Sequence, residues 1–158
     1  MALAQGGLSW VHQLQDLLSI PQASSIQIKS YKGINETINR PVVIQSLPVS
    51  IVDEEVLLFD DVADSGQSLI MAKDYLKAHG VKNITTATMF YKPWSKITPD
   101  YFGEPTKAWL IFPHDSVEHI PLLAEKWQVG KKTLTKRLRQ IGLEPSIVAF
   151  YLAANPSA

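Results

Sequence analysis

The segment that most constrains the fold of this chain is residues 56–69, with the sequence VLLFDDVADSGQSL. A short apolar run of strand length is followed by three carboxylates and a Ser-Gly pair, and then by a helical pattern that places Leu69, Ala72 and Leu76 on one face. This order predicts a strand, a loop of small residues and the start of a helix. The backbone N–H groups of such a loop and of a first helical turn are unpaired and carry partial positive charge. They can therefore bind a phosphate group without help from a basic side chain.

Two adjacent acids stand at the carboxyl end of the predicted strand. Asp60 and Asp61 would suit hydroxyl groups or a hydrated divalent cation. Together with an anion-binding loop, they indicate a phosphorylated sugar as the ligand. A simpler interpretation is an ordinary strand–loop–helix in which Asp64 caps the helix and Ser65 and Ser68 are polar residues of its first turn. That interpretation leaves the adjacent acid pair unexplained.

The segment resembles the 5-phosphoribosyl-1-pyrophosphate (PRPP) loop of type I phosphoribosyltransferases: four apolar residues, Asp-Asp, two small apolar residues, Asp, Ser/Thr, Gly, any residue and Ser/Thr. The resemblance implies an α/β fold, with a mostly parallel, twisted sheet flanked by helices and a small hood hairpin. It implies PRPP binding by the acid pair and the loop, namely Asp60, Asp61, Ala63, Asp64, Ser65, Gly66, Gln67 and Ser68. It also implies Mg²⁺ as the cofactor, held by Asp60 and Asp61 directly, through water or through the ribose hydroxyls.

The first residues, MALAQGGL, place two glycines between a short apolar segment and a helical pattern. They resemble the pyrophosphate-binding loop of the same family, which would place Gln5, Gly6 and Gly7 against pyrophosphate. Gln5 stands where the family commonly has Arg or Lys, so it brings no charge. Only three residues precede Ala4, whereas the family has a longer strand and a further helix there. Either that part is missing from this chain or the strand is a natural short form, and a plain turn is the alternative for the two glycines.

A hairpin is predicted next. Residues 25–31 alternate as a half-buried strand does, residues 42–47 are also strand-like, and a polar stretch separates them. The resemblance implies that this hairpin is a hood that closes over the sugar phosphate, with Lys32 and Arg40 as candidate phosphate contacts. A simple exposed hairpin loop is the alternative.

The residues expected to recognise the base follow the central motif. Residues 83–91 are rich in β-branched and aromatic residues, which predicts a strand that ends at Lys92. Residues 99–104 are predicted to form a loop, and residues 108–115 a short strand that runs into a turn. In 6-oxopurine phosphoribosyltransferases the lysine corresponding to Lys92 donates to the 6-oxo group. The resemblance further implies that Trp109 stacks on the purine, that Leu110 offers its carbonyl to the 2-position, and that Asp115 stands where xanthine–guanine enzymes have a carboxylate.

Without that context Lys92 would be a solvated charge and Trp109 a core aromatic residue. With it, the resemblance implies an enzyme of purine salvage that transfers phosphoribose from PRPP to guanine, xanthine or hypoxanthine and releases pyrophosphate. Asp64 lies at the position of the family's general base or acid, which makes it the expected catalytic residue.

Composition sets the remaining limits. The 158 residues suffice for one domain with a proper core, and 15 basic residues balance 15 acidic ones, so no global field favours nucleic acid or an anionic membrane. Cysteine is absent, which excludes a disulfide framework and a thiolate nucleophile. No apolar run approaches membrane-spanning length and no signal peptide is recognisable, so a cytoplasmic enzyme is expected.

The resemblance covers residues 1–115, and residues 116–158 are expected to form a helical extension with helices at 118–127, 131–140 and 145–153. The middle helix is basic, with Lys131, Lys132, Lys136, Arg137 and Arg139. It could belong to a helix-turn-helix, or be the solvated face of helices that pack against a domain or a subunit partner. Two alternatives to the enzyme therefore stay open: a regulatory protein of the same fold with a basic tail, and an inactive truncated member. The family resemblance also implies a homo-oligomer, a dimer or larger.

Overall fold

The structure is a computed structural model that describes residues 1–32 and 39–155. Within these residues one six-stranded sheet has the strand order β3-β2-β1-β4-β5-β6. The strands are β1 (Ala2–Ala4), β2 (Ser25–Lys32), β3 (Asn39–Gln45), β4 (Glu55–Ala63), β5 (Asn83–Tyr91) and β6 (Tyr101–Pro105). Only β2 and β3 pair antiparallel, and the other neighbours are parallel. The predicted α/β fold with a mostly parallel sheet is confirmed.

The β2–β3 pair is the predicted hairpin. The residues expected to form the hood between its strands, 33–38, lie outside the described residues, as do the side chains of Lys32 and Arg40. The proposed phosphate contacts of those two side chains stay predictions.

Five helices are present in the described part of the chain: α1 (Leu8–Leu17), α2 (Gln67–Ala78), α3 (Ser116–Trp127), α4 (Lys131–Gln140) and α5 (Pro145–Ala154). The three C-terminal helices match the predicted bounds to within two residues at each end. All of these helices are too short or too polar to cross a membrane.

The core explains why the central motif sits where it does. Leu69, Ala72 and Leu76 are buried on one face of α2, as their spacing predicted, and they pack with Leu58 of β4 and Ile26 of β2. Burying a leucine or isoleucine side chain contributes roughly 1.5–3 kcal/mol. The packing therefore holds the beginning of α2 beside the carboxyl end of β4.

Two sequence predictions are wrong. Residues 99–104 were expected to form a loop, but Tyr101–Pro105 is a parallel edge strand beside β5. Its five residues are all exposed, so the apolar alternation that marks a half-buried strand is absent from the sequence. Residues 108–115 were expected to begin as a strand, but the structure has irregular backbone there and a turn at residues 113–115. The apolar character of this stretch serves packing instead, since Phe112 is buried and Ile111 contacts the helical core.

The chain divides into two compact units, Met1–Lys107 and Ala108–Ala158. In the second unit the three C-terminal helices pack around a core of their own, formed by Ile120, Leu134, Leu138, Leu143, Val148 and Leu152. The boundary predicted between residues 115 and 116 stays a prediction of where the family resemblance ends.

Candidate active site

The loop between β4 and α2 surrounds a small open depression. Strand β4 continues past its apolar run because its pairing with β5 extends to Ala63 opposite Tyr91. Asp60 and Asp61 therefore lie within the strand rather than in the loop. The depression has a volume of about 90 Å³, and its lining is Asp60, Val62, Ala63, Asp64, Ser65, Gly66, Ser68 and Leu69.

The main chain of this loop presents unpaired donors. In the described part of the chain, the backbone N–H groups of Ser65, Gly66 and Ser68 donate to no protein acceptor. Ser65 is exposed, and its hydroxyl accepts a long hydrogen bond of 3.4 Å from the Gln67 amide. Unpaired N–H groups at the start of a helix form an anion-binding site. The loop therefore has the unpaired donors of an anion-binding cradle.

Glycine is required at the centre of the cradle. Gly66 has φ +76°, and a Cβ atom there would lie 2.6 Å from Ser95 Oγ and 2.8 Å from the Ile97 side chain. The approaching segment, residues 92–97, also binds the loop main chain. The Lys92 amide donates to the Ala63 carbonyl at 2.9 Å, and the Lys96 amide donates to the Ser65 carbonyl at 3.1 Å. The loop is thus held from behind by the residues that follow β5.

The acid pair concentrates negative charge beside this cradle. Burial raises the pKa of Asp60 well above its usual 3.8, and the neighbouring Asp61 charge raises it further, against a smaller lowering by the backbone amides of Asp61 and Gly7. Asp60 Oδ1 accepts from the Asp61 amide at 3.0 Å, and Asp61 Oδ1 accepts from the Val62 amide at 2.6 Å. A cation or a set of hydroxyl donors at this position would relieve the repulsion between the two carboxylates.

The loop between β1 and α1 contacts the same pair. A Cβ atom on Gly6 would overlap the Asp61 carboxylate, at 2.6 Å from Oδ2. Gly7 donates its N–H to the Leu3 carbonyl at 2.9 Å, and Gln5 is exposed after a cis peptide bond from Ala4. The structure therefore brings the predicted pyrophosphate loop and the acid pair together.

Lys92 and Asp64 are linked by a residue that the sequence analysis did not single out. Trp94 donates its indole N–H to Asp64 Oδ1 at 2.9 Å, and the Lys92 Nζ atom lies 5.8 Å from the centroid of the Trp94 ring. Lys92 is buried, whereas Asp64 and Trp94 are exposed. A lone Trp in a polar loop has no periodic pattern around it, so only the donor character of the indole could have signalled this role.

Thr88 is a second unanticipated polar residue. It pairs with Asp60 across β4 and β5 and is buried, and its hydroxyl has no hydrogen-bond partner within the described residues. The sequence analysis did not anticipate this residue, because a threonine in a run of β-branched residues indicates only a strand.

The other predicted base-binding residues belong to the second compact unit. Trp109 is 73% exposed, with its ring edge-on to the His119 ring at 5.8 Å, and Leu110 is half-buried. Asp115 precedes α3 with Oδ1 at 3.6 Å from His119 Nδ1. Trp109 is thus available for stacking, and neither Trp109 nor Leu110 is a core residue.

The acid pair also fits the implied metal. Among residues 1–32 and 39–155 there is no group of three or more His, Cys, Asp or Glu side chains that could form an all-protein metal site. Mg²⁺ is commonly bound by one or two carboxylates together with substrate phosphates and water. Asp60 and Asp61 offer oxygen donors of that kind.

A second cavity, of about 410 Å³, opens at the amino-terminal end of β4 and is lined in part by Met1, Ile51 and Leu57. None of the residues to which the sequence analysis assigned a role in binding or catalysis lines it. The chemistry therefore concentrates at the carboxyl end of β4, which is where α/β sheets bind ligands.

Comparisons with known proteins identify the family of the chain. The family described as "Phosphoribosyl transferase domain" matches residues 1–111, which include the β1–α1 loop, the acid pair and the cradle. The chain belongs to the phosphoribosyltransferase family. The expectation of a phosphoribosyltransferase enzyme is confirmed at this level.

Solved structures of other phosphoribosyltransferases share the fold. A purine phosphoribosyltransferase from Pyrococcus horikoshii is 34% identical, with a TM-score of 0.67 over 71% of this chain and 74% of the relative. A hypoxanthine-guanine phosphoribosyltransferase from Bacillus anthracis is 26% identical, with a TM-score of 0.55 over 67% and 65% of the two chains. A xanthine-guanine-hypoxanthine phosphoribosyltransferase from Helicobacter pylori shares the fold at 23% identity, with a TM-score of 0.58 over 70% and 71%. A comparison with curated protein sequences found no significant match.

Proposed function

We propose that this phosphoribosyltransferase transfers phosphoribose from PRPP to a 6-oxopurine, namely guanine, xanthine or hypoxanthine, and releases pyrophosphate. The observation that carries the proposal is the cradle of unpaired Ser65, Gly66 and Ser68 amides beside the half-buried acid pair. A sugar phosphate matches both halves of this arrangement. The purine relatives from P. horikoshii and B. anthracis support the choice of acceptor.

In this proposal the chain mainly holds the two substrates in line and stabilises separated charge. The amides and hydroxyls from Asp64 to Ser68 bind the 5-phosphate, and the remaining PRPP contacts in the loop come from Ala63 and Gln67. Asp60 and Asp61 bind the ribose hydroxyls and Mg²⁺, which neutralises charge on the departing pyrophosphate when it is bound. Gln5, Gly6 and Gly7 hold the pyrophosphate itself.

Proton transfer is assigned to Asp64. As the bond between the purine nitrogen and C1 of the ribose forms and the bond from C1 to the pyrophosphate oxygen breaks, the imidazole ring of the purine must lose a proton. Asp64 accepts it in this account, and Lys92 donates to the 6-oxo group. Trp109, Leu110 and Asp115 keep their proposed roles in stacking on the base and recognising its 2-position.

The test is pyrophosphate release from Mg-PRPP with guanine, xanthine, hypoxanthine and adenine in turn. We expect release with at least one 6-oxopurine and much less with adenine. Asp64→Asn should lower kcat by roughly 10²- to 10⁴-fold, the usual contribution of a general base, and leave PRPP affinity nearly unchanged. Equal losses in turnover and affinity would assign Asp64 to binding, and no release with any purine would contradict the proposed function.

The basic helix α4 gives little support to a nucleic-acid-binding alternative. Lys131 donates its Nζ to the Leu152 carbonyl at 3.0 Å, and the Arg137 guanidinium lies 5.6 Å from the centroid of the Trp127 ring. The Lys131 and Arg137 side chains therefore make contacts within the helical unit. The homo-oligomer and the cytoplasmic location remain proposals, and light scattering of the purified protein tests the first.

A further inference from the structure

The indole of Trp94 contacts Asp64, and the proposed reaction gives Trp94 no role. Its N–H donates to Asp64 Oδ1 at 2.9 Å, and in the described part of the chain no other side chain donates to this carboxylate. Trp94 itself is 56% exposed, so apolar burial is not a sufficient reason for an indole at this position.

The backbone that carries Trp94 is rigidly attached to the cradle. The Ser95 amide donates to the Lys92 carbonyl at 2.9 Å, which closes a turn around Trp94, and the Lys96 amide donates to the Ser65 carbonyl at 3.1 Å. The indole donor is thus fixed relative to the loop that contains Asp64.

An exposed aspartate on a loop has free rotation about its side-chain torsions. A hydrogen bond to one carboxylate oxygen selects one orientation of the plane and leaves the second oxygen available to a proton donor. Catalytic geometry depends on this kind of support, because small misplacements of a reacting group cost large factors in rate.

We propose that Trp94 is a positioning residue that orients the Asp64 carboxylate for proton exchange with the purine. This inference rests on the proposed function. The Trp94 ring also lies within cation–π range of the Lys92 ammonium group, at 5.8 Å from the centroid. The Trp94 side chain therefore contacts both Asp64, the proposed general base, and the lysine assigned to purine recognition.

The test is Trp94→Phe, which keeps an aromatic ring beside Lys92 and removes the N–H donor. We expect kcat for pyrophosphate release to fall about tenfold, the size of effect that a charge-assisted hydrogen bond supports, while the KM for PRPP changes less than about twofold. Trp127→Phe is the matched control, because Trp127 lies in the helical unit with its ring beside Arg137. It should leave kcat and KM unchanged.

A double-mutant cycle separates positioning from general packing. In an Asp64→Asn background, Trp94→Phe should have little further effect on kcat, since the group on which it acts has been removed. The same fold-loss in both backgrounds, or an unchanged kcat in Trp94→Phe alone, would overturn the inference. A change in guanine-to-adenine selectivity that persists in the Asp64→Asn background would instead assign Trp94 to Lys92, and would also overturn it.

The contact can be checked without turnover. The ¹⁵N indole resonance of Trp94, assigned by its loss in Trp94→Phe, should shift when Asp64→Ala removes the acceptor of its hydrogen bond, and it should stay in place in the control variant Asp74→Ala. An indole resonance that stays in place in Asp64→Ala would contradict the contact. If wild-type protein releases no pyrophosphate with any purine, the proposed function fails and the role of Trp94 fails with it. If the wild-type protein turns over normally but Trp94→Phe lowers kcat by the same factor with and without Asp64→Asn, only the Trp94 inference is overturned.

Discussion

Gly6 faces the Asp61 carboxylate so closely that a methyl group on its Cα would overlap the carboxylate oxygens. The contact joins the β1–α1 loop to the acid pair of β4, and these two features are separated by more than fifty residues of sequence. In the proposed reaction they bind the pyrophosphate and the ribose of one substrate, so their spacing must match PRPP.

We therefore expect Gly6→Ala to weaken PRPP binding. The added methyl group must displace either the loop or Asp61, and a shift of about 1 Å at such a site costs roughly tenfold to hundredfold in efficiency. The KM for PRPP should rise while the KM for the purine changes little, as measured by steady-state pyrophosphate release. Gly130→Ala is the matched control, since a Cβ atom there has open space around it. Unchanged PRPP kinetics in Gly6→Ala would separate this loop from the substrate.

The raised pKa of Asp60 predicts that its charge destabilises the fold at neutral and higher pH. Because the pKa of Asp60 is raised by burial and by Asp61, the folded state binds a proton more tightly than the unfolded state. Stability contributed by this group is lost as the pH rises above the usual value of 3.8 and through the raised pKa. Asp60→Asn should therefore raise Tm at pH 8, by about 2–4 °C for each kcal/mol regained, and the gain should vanish near pH 4.

Thermal unfolding of Asp60→Asn and of Asp74→Asn, on the exposed side of α2, measures this effect. The Asp74 variant should change stability by no more than about 0.5 kcal/mol at any pH. If Asp60→Asn lowers Tm at pH 8, the carboxylate is stabilised in the fold and the account of the acid pair is wrong.

Asp100 predicts the opposite pH dependence. Its Oδ2 accepts from the Thr86 amide and the Thr86 hydroxyl, each at 2.7 Å, and these bonds lower the pKa of Asp100. Its contribution to stability is therefore present above the usual value of 3.8 and is lost as the pH falls through the lowered pKa. Asp100→Ala leaves the donors of the fully buried Thr86 without this acceptor, which costs about 1–3 kcal/mol.

Urea denaturation at pH 7 checks this cost, with Glu104→Ala, on the exposed edge strand that follows Asp100, as the reference variant. A loss for Asp100→Ala no larger than that for Glu104→Ala would show that the Thr86 contacts do not anchor β6.

Lys92 predicts a change in base preference. Replacing it by Met keeps a long side chain in a buried position and removes the donor to the 6-oxo group. We expect kcat/KM for the preferred 6-oxopurine to fall about 10- to 150-fold, the range for a hydrogen bond from a charged group, and the value for adenine to change far less. Parallel losses for both bases would mean that Lys92 has a structural role only.

The parts of this site that depend on a single segment of the chain could be predicted from the sequence. The strand–loop–helix of residues 56–69 and the burial of Leu69, Ala72 and Leu76 follow from periodicity within one segment, and the structure confirms them. The edge strand at Tyr101–Pro105 could not be foreseen, because its position depends on hydrogen bonds that the Thr86 amide and hydroxyl donate to the Asp100 carboxylate, fourteen residues along the chain. The Trp94–Asp64 hydrogen bond was missed for the same reason, since thirty residues separate its partners and neither lies in a periodic pattern.

The measurement that tests the central claim most directly is a titration of ¹⁵N-labelled protein with ribose 5-phosphate and Mg²⁺, followed through the backbone amide resonances. If the loop between β4 and α2 binds the sugar phosphate through its main chain, the amides of Ser65, Gly66 and Ser68 should show the largest shifts, and those shifts should saturate. Saturable binding that leaves these three amides unmoved, or an absence of binding at millimolar ligand, would contradict the account.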